Sequence, residues 1–272
     1  MIPNKVKQLW DEGKPVLNGW LSIANPFSAE IMAEAGYDSI TSDIQHGIVD
    51  YQSTITMYQA MRASGVTPMA RVPWLDPGDI MKALDGGAYG IVCPMINTAE
   101  EAARLVSYVR YPPLGNRSFG PSRVSISAGP NYAAEANDQI ICLAMIETAE
   151  GVANLDQIVR TPGLDGVYIG PADLTLGVTN GRLPPGFDRQ EPEMIEVIQK
   201  IMSTAHDAGI KAALHCGSAS YAAQAIGWGF DLVTVLNDAR LLAMASKSVV
   251  DETRALVAGQ ESSAAETSAS GY

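Results

Sequence analysis

The 272-residue sequence predicts a single (β/α)8 barrel of the TIM type. Eight short apolar runs alternate with segments of helical period, and eight is the repeat number that closes a parallel sheet on itself. The runs are apolar throughout rather than at every second residue, as expected for parallel strands covered on their outer face. The length suits one barrel, with a core large enough to need no disulfides.

Each element has its own signal. A polar, amphipathic segment at 4–12 precedes the first strand and is expected to form an extra helix capping the barrel bottom. The first run, 16–23, leads to a helix at 27–35 that stops at Gly36. Run 39–44 leads to a helix at 52–63 before Gly65, and run 67–72 to one at 79–84 before Gly86. Glycine just past a helix supplies the left-handed residue that ends it. Run 90–95 precedes a helix at 99–109, halted by Tyr111-Pro112, and run 141–147 precedes one at 149–159. Runs 166–171, 211–216 and 232–237 are followed by helices at 193–208, 219–226 and 239–257. Two stretches break the rhythm, 111–139 and 176–190. Long ordered loops in a compact domain usually carry function. The barrel domain is expected over 1–258, with a flexible Ser/Ala-rich tail over 259–272.

Net charge is −12 and the pI about 4.6. A nucleic-acid binder needs a basic stripe, and there is none. An acidic protein that handles an anionic substrate needs a local positive feature, a metal ion or a buried Arg. Cys93, Cys142 and Cys216 match no zinc spacing and read as reduced, buried thiols. With no secretory h-region and no 18-residue apolar stretch, the expectation is a soluble, cytoplasmic protein without membrane partners.

In such a barrel, chemistry belongs at the C-terminal ends of the strands. Glu147 and Asp173 fall there on adjacent strands five and six. Two carboxylates held close repel unless a cation lies between them. An oxygen-only pair points to Mg²⁺, Mn²⁺ or a similar hard ion with positions left open for water and substrate. The competing reading makes each acid a helix N-cap or a partner of Arg71. Arg71, in an apolar strand, either holds a substrate carboxylate or oxyanion or forms a structural salt bridge. His46 lies just past strand two, where Asp85 could orient it as a dyad, although both also suit purely structural roles. His215 is a second pocket candidate. Trp20 reads as core that could also close the site. None of the seven lysines stands at a strand's C-terminal end, which disfavours imine chemistry, and no phosphate cradle follows strands seven and eight.

With these residues placed, the chain resembles the HpcH/HpaI family of class II pyruvate aldolases over about 16–255. SDIQHG (42–47), ARVPW (70–74), ALDGGA (83–88), YPPLGNRSFG (111–120), IETAEG (146–151) and IGPADL (169–174) carry the resemblance. It implies reversible cleavage of 4-hydroxy-2-oxo acids to pyruvate or hydroxypyruvate and an aldehyde. The cofactor would be Mg²⁺, Mn²⁺ or Co²⁺ on Glu147 and Asp173. Backbone amides of Gly170 and Ala172 would hold the substrate carboxylate, with Gln45 and Trp20 also at the substrate. Arg71 would contact the keto or enolate oxygen, and His46, oriented by Asp85, would act as acid–base catalyst. A hexamer, built as a trimer of dimers with the last helix exchanged, is implied as well. Three positions depart from the family pattern: Gln45 for an acid, Met145 for Gln and Ser118 for Gly. The same chemistry could serve an oxaloacetate-type decarboxylase or an acyl-CoA lyase, and a non-catalytic carboxylate-binding barrel is the reading from another class.

Overall fold

The computed structural model describes the backbone of residues 1–269 and side chains through Ala258. Eight parallel strands close in sequence order, with β1 also pairing with β8. They are β1 (Val16–Leu21), β2 (Ser39–Asp43), β3 (Thr67–Arg71), β4 (Gly90–Cys93), β5 (Ile141–Met145), β6 (Gly166–Ile169), β7 (Lys211–Cys216) and β8 (Leu232–Val235). Helices α2 (Pro26–Glu34), α3 (Tyr51–Met61), α4 (Pro77–Gly86) and α5 (Ala99–Val109) cover the first half of the barrel. Asn25, Asp50, Asp76 and Thr98 cap them, each accepting from first-turn amides.

α1 (Lys5–Asp11) plugs the bottom, as expected. Val6 and Trp10 join the barrel-interior cluster with Val16, Ile141 and Leu232, residues at the strand starts. The Trp10 indole donates to the Asp231 carbonyl at 3.0 Å, and the Asn4 amide nitrogen donates to the Gln139 carbonyl at 2.7 Å. Replacing Trp10 by Ala is expected to cost about 3–5 kcal/mol, as for a buried aromatic, without altering the cavity at the other end. A urea midpoint within error of wild type would show that α1 only decorates the barrel.

Three expectations need correction. The stretch 111–139 is not one loop: it holds α6 (Val124–Ala128) and α7 (Tyr132–Gln139). Buried Arg117 organises it, donating to Asp85 (2.6 Å) and the Tyr132 hydroxyl (2.8 Å) beneath the Tyr111 ring. The helix expected at 149–159 is broken into α8 (Ala149–Ala153) and α9 (Leu155–Ile158) at Asn154, whose side chain donates to the Asn97 carbonyl. The second loop starts later than expected, because α10 (Pro171–Thr179) follows β6 directly and takes in residues 176–179. The remaining helices are α11 (Pro192–Asp207), α12 (Ala219–Trp228) and α13 (Asp238–Ala269). α13 takes in the backbone of 259–269, where the tail was expected; Gln, Glu and Ala there favour a helix and no Gly or Pro interrupts it after Gly259. Residues 270–272 lie outside the described residues.

Candidate active site

The C-terminal strand ends surround a cavity of about 360 Å³. Its wall includes Trp20 from β1, Asp43 and Arg71 at the ends of β2 and β3, Glu147 past β5, and His215 from β7. Gly170, Pro171, Ala172 and Asp173, at the start of α10, complete one side.

Glu147 is the buried member of the acid pair, 3% exposed. Its Oε1 accepts the Met95 N–H at 2.9 Å. Met95 adopts φ 57°, a left-handed conformation uncommon outside glycine, at the turn that leaves β4. Oε2 has no hydrogen-bond partner. A Cβ on Gly170 would collide with it, so any larger residue at 170 would displace the Glu147 carboxylate. Burial pushes the Glu147 carboxyl up to about 7; the Met95 N–H opposes the rise, the Asp173 charge adds to it and Arg71 moderates it.

Neither acid caps a helix. Thr148 caps α8, accepting the Gly151 N–H at 2.9 Å, and α10 begins at Gly170 with no side-chain cap. Asp173 is exposed in the first turn of α10, and its carboxylate has no hydrogen-bond partner. Among the described residues no group of three or more His, Cys, Asp or Glu side chains is assembled into a cage. The donor set is therefore two carboxylates on one cavity, one of them buried with a free oxygen. That fits a hard cation keeping most of its positions for water and substrate.

Arg71 forms the expected structural salt bridge and also lines the cavity. Its Nε and Nη2 donate to the two Asp43 oxygens at 2.9 and 2.6 Å, and its guanidinium lies 4.9 Å from the Trp20 ring centroid. Two of its five N–H bonds are thus used on Asp43, leaving three not spent on that carboxylate. Burial alone would raise the Asp43 carboxyl, but hydrogen bonds and charge from Arg71 and the backbone N–H of His46 bring it below its usual range. Trp20 is both core, at 1% exposure, and cavity wall.

The other predicted residues separate. His46 is exposed on the cavity rim, and its ring has no hydrogen-bond partner. Gln45 follows Asp43 in the same turn, donating its backbone N–H to that carboxylate, but does not line the cavity. The expected His46–Asp85 dyad does not form within the chain. Asp85 stands in the last turn of α4, and barrel helices run back toward the bottom, so it is carried away from the cavity and pairs with Arg117. Sequence reasoning missed Asp43, Tyr168 and Phe187 as wall residues. For Asp43 a signal existed: an acid ends β2 in register with Arg71 on β3.

The profile of the HpcH/HpaI aldolase/citrate lyase family matches residues 17–238. The chain belongs to this family. A hydroxypyruvate/pyruvate aldolase of Rhizorhabdus wittichii is 42% identical over 93% of this chain and 100% of its own length. One of the same name from Deinococcus radiodurans is 35% identical, covering 91% of this chain and 89% of its own. A 4-hydroxy-2-oxo-heptane-1,7-dioate aldolase of Shigella boydii is 33% identical over 91% and 94%. The crystal structure of a family member from Burkholderia cenocepacia superposes with a TM-score of 0.84 at 29% identity, covering 92% of this chain and 99% of that one.

The buried acid has a consequence for the metal-free protein. The folded Glu147 carboxyl titrates near 7, against 4.5 for an unperturbed Glu. Between those values the folded state binds more protons than the unfolded chain, so its stability falls as pH rises from about 4.5 to 7. Denaturant midpoints of chelator-treated wild type and Glu147→Gln should therefore diverge across that window, with wild type losing ground. Parallel pH profiles would contradict the burial argument.

Proposed function

We propose that this chain is a class II aldolase that reversibly cleaves 4-hydroxy-2-oxo acids to pyruvate or hydroxypyruvate and an aldehyde, with Mg²⁺, Mn²⁺ or Co²⁺ held by Glu147 and Asp173. The observation that carries this reading is one cavity holding both carboxylates, the Arg71 guanidinium and the start of α10. A divalent ion bound there supplies Lewis-acid stabilisation of negative charge on the keto oxygen. Arg71 brings its three remaining N–H donors to the same developing charge, held in position by Asp43 so that little reorganisation is needed at the moment of reaction. The start of α10, with a glycine N-cap and no capping side chain, offers the Ala172 amide and the positive end of the helix dipole to the substrate carboxylate. His46, on the rim without a partner, is placed to pass the 4-hydroxyl proton to and from water.

The reading also includes a homo-oligomer in which α13 leaves its own barrel. Leu242, Met244, Val249, Val250, Leu256 and Val257 are exposed along that helix, more apolar surface than a solitary helix retains in water. Among the described residues, no helix is long and apolar enough to cross a membrane.

The test is turnover. Metal-supplemented protein should release pyruvate or hydroxypyruvate and an aldehyde from a 4-hydroxy-2-oxo acid, and should exchange the pyruvate methyl protons in D₂O. EDTA should stop both. Carbon dioxide as the product would indicate a decarboxylase, and pyruvate binding with no exchange under any metal would leave only a binding barrel.

A further inference from the structure

His215 lines the same cavity and has no part in the chemistry above. We propose that it is a specificity-determining residue whose Nε2 accepts a hydrogen bond from a hydroxyl group of the substrate. The inference rests on the aldolase reading of the site and concerns which substrates that site prefers.

The polar chain behind the ring assigns its tautomer. Asn18 Oδ1 accepts from the Ser39 and Thr41 hydroxyls at 2.8 and 3.2 Å, which orients the amide so that Nδ2 donates to Thr234 Oγ1 at 2.8 Å. The Tyr168 hydroxyl donates to the same Thr234 oxygen at 2.7 Å. The Tyr168 oxygen, 3.1 Å from His215 Nδ1, is then free to accept, so the imidazole proton resides on Nδ1. Nε2 keeps its lone pair and has no partner among the described residues.

The ring is neutral and fixed. Burial first, then the charges of Arg71 and Arg240, lower its pKa to about 3, with Asp43 opposing. Phe187 stacks on one face with centroids 4.8 Å apart, and Trp20 meets it edge-on at 4.9 Å. The loop carrying Phe187 is tied to the end of β7, because Asp188 accepts the Gly217 N–H at 2.7 Å. A neutral acceptor held this way gives no charge attraction to a carboxylate and repels the lone pairs of a keto oxygen. It is matched by an O–H donor, and a substrate without one leaves it desolvated and unpaired.

The hydroxyl can come from either reactant, and the experiment distinguishes them. Pyruvate against hydroxypyruvate as donor, and acetaldehyde against glycolaldehyde as acceptor, give four combinations to be measured with wild type, His215→Phe and His215→Gln. Wild type is expected to favour the hydroxylated member of one pair in kcat/KM by about tenfold or more, the scale of one buried hydrogen bond. In His215→Phe that ratio should collapse to about twofold or less while the non-hydroxylated combination is spared, and His215→Gln should keep part of it. The pair whose ratio collapses identifies which reactant carries the hydroxyl. An equal loss on all four combinations, or ratios unchanged in His215→Phe, overturns the inference and leaves the aldolase reading standing. Failure of wild type on all four combinations overturns both. If the His215 variants do not fold, Tyr168→Phe reads the same contact, because without the phenol oxygen the tautomer is no longer held and the ratio should fall; an unchanged ratio there also overturns it.

Discussion

Glu147→Gln is expected to lower retro-aldol kcat/KM by about a thousandfold or more and, in metal-free protein, to make the fold more stable. The loss follows from removing one of two carboxylates that hold the cation on which charge stabilisation depends. The gain follows from the environment. Glu147 is 3% exposed, its carboxyl is pushed up to about 7, and Asp173 is its like-charged neighbour. Gln keeps the shape and can still accept the Met95 N–H, so it removes the buried charge and little else. At pH 8, where wild type is ionised, the gain is on the order of 1–3 kcal/mol, or a rise in Tm of several degrees. Few substitutions combine lost activity with gained stability, and the combination marks a residue kept for chemistry. Activity retained in Glu147→Gln, or lost only in proportion to unfolding, would remove the cation from the mechanism.

The barrel was legible because its signals are local. All eight strands begin at the residue where the apolar runs begin, from Val16 to Leu232. Their ends were read up to two residues too long, at the points where the chain leaves the ladder to build the cavity. Ile44 and Ile146 still donate across the sheet, to Arg71 and Tyr168, one residue beyond their strands. α10 was hidden because Gly170-Pro171 looks like a strand ending in a loop, although Pro at the first helical position with Asp two residues later is a helix start. α6 and α7 were hidden for a different reason. They are short and rich in Ser, Ala and Asn, and what organises the stretch is a long-range contact, Arg117 with Asp85 and Tyr132. No window of sequence contains that pairing.

The site divides along the same line. Glu147, Asp173 and Arg71 could be placed on the cavity from position alone, since strand ends converge by topology. The Asp85 assignment depended on a distance between separate elements, and the orientation of α4 takes that residue to the other end of the barrel. His215 illustrates an intermediate case. Its place at a strand end could be read, but its meaning comes from Tyr168, Thr234 and Asn18, three strands' worth of side chains that only the closed sheet brings together.

Arg71→Met should lower kcat/KM by about a hundredfold to a thousandfold, as for loss of a preorganised oxyanion donor, and should also destabilise the fold. Its structural role and its proposed catalytic role are separable because, among the described residues, Asp43 is the one carboxylate it binds. In the single variant Asp43, 3% exposed, keeps its charge without its guanidinium partner, though the backbone amides of Gln45 and His46 still donate to it, and removing one partner of a buried pair costs about 3–5 kcal/mol. Wild-type Asp43 has its pKa depressed by Arg71, a contribution present above about pH 4 and lost as pH falls through the folded value; the variant should lose it at neutral pH as well. The double variant Asp43→Asn/Arg71→Met no longer buries an unpaired charge, so most of the stability should return. Activity should not return, because the guanidinium donors proposed to meet the developing charge are still missing. Urea midpoints and kcat/KM on the same preparations test this together. If turnover recovers along with stability in the double variant, Arg71 is a brace for Asp43 and the oxyanion role assigned to it fails.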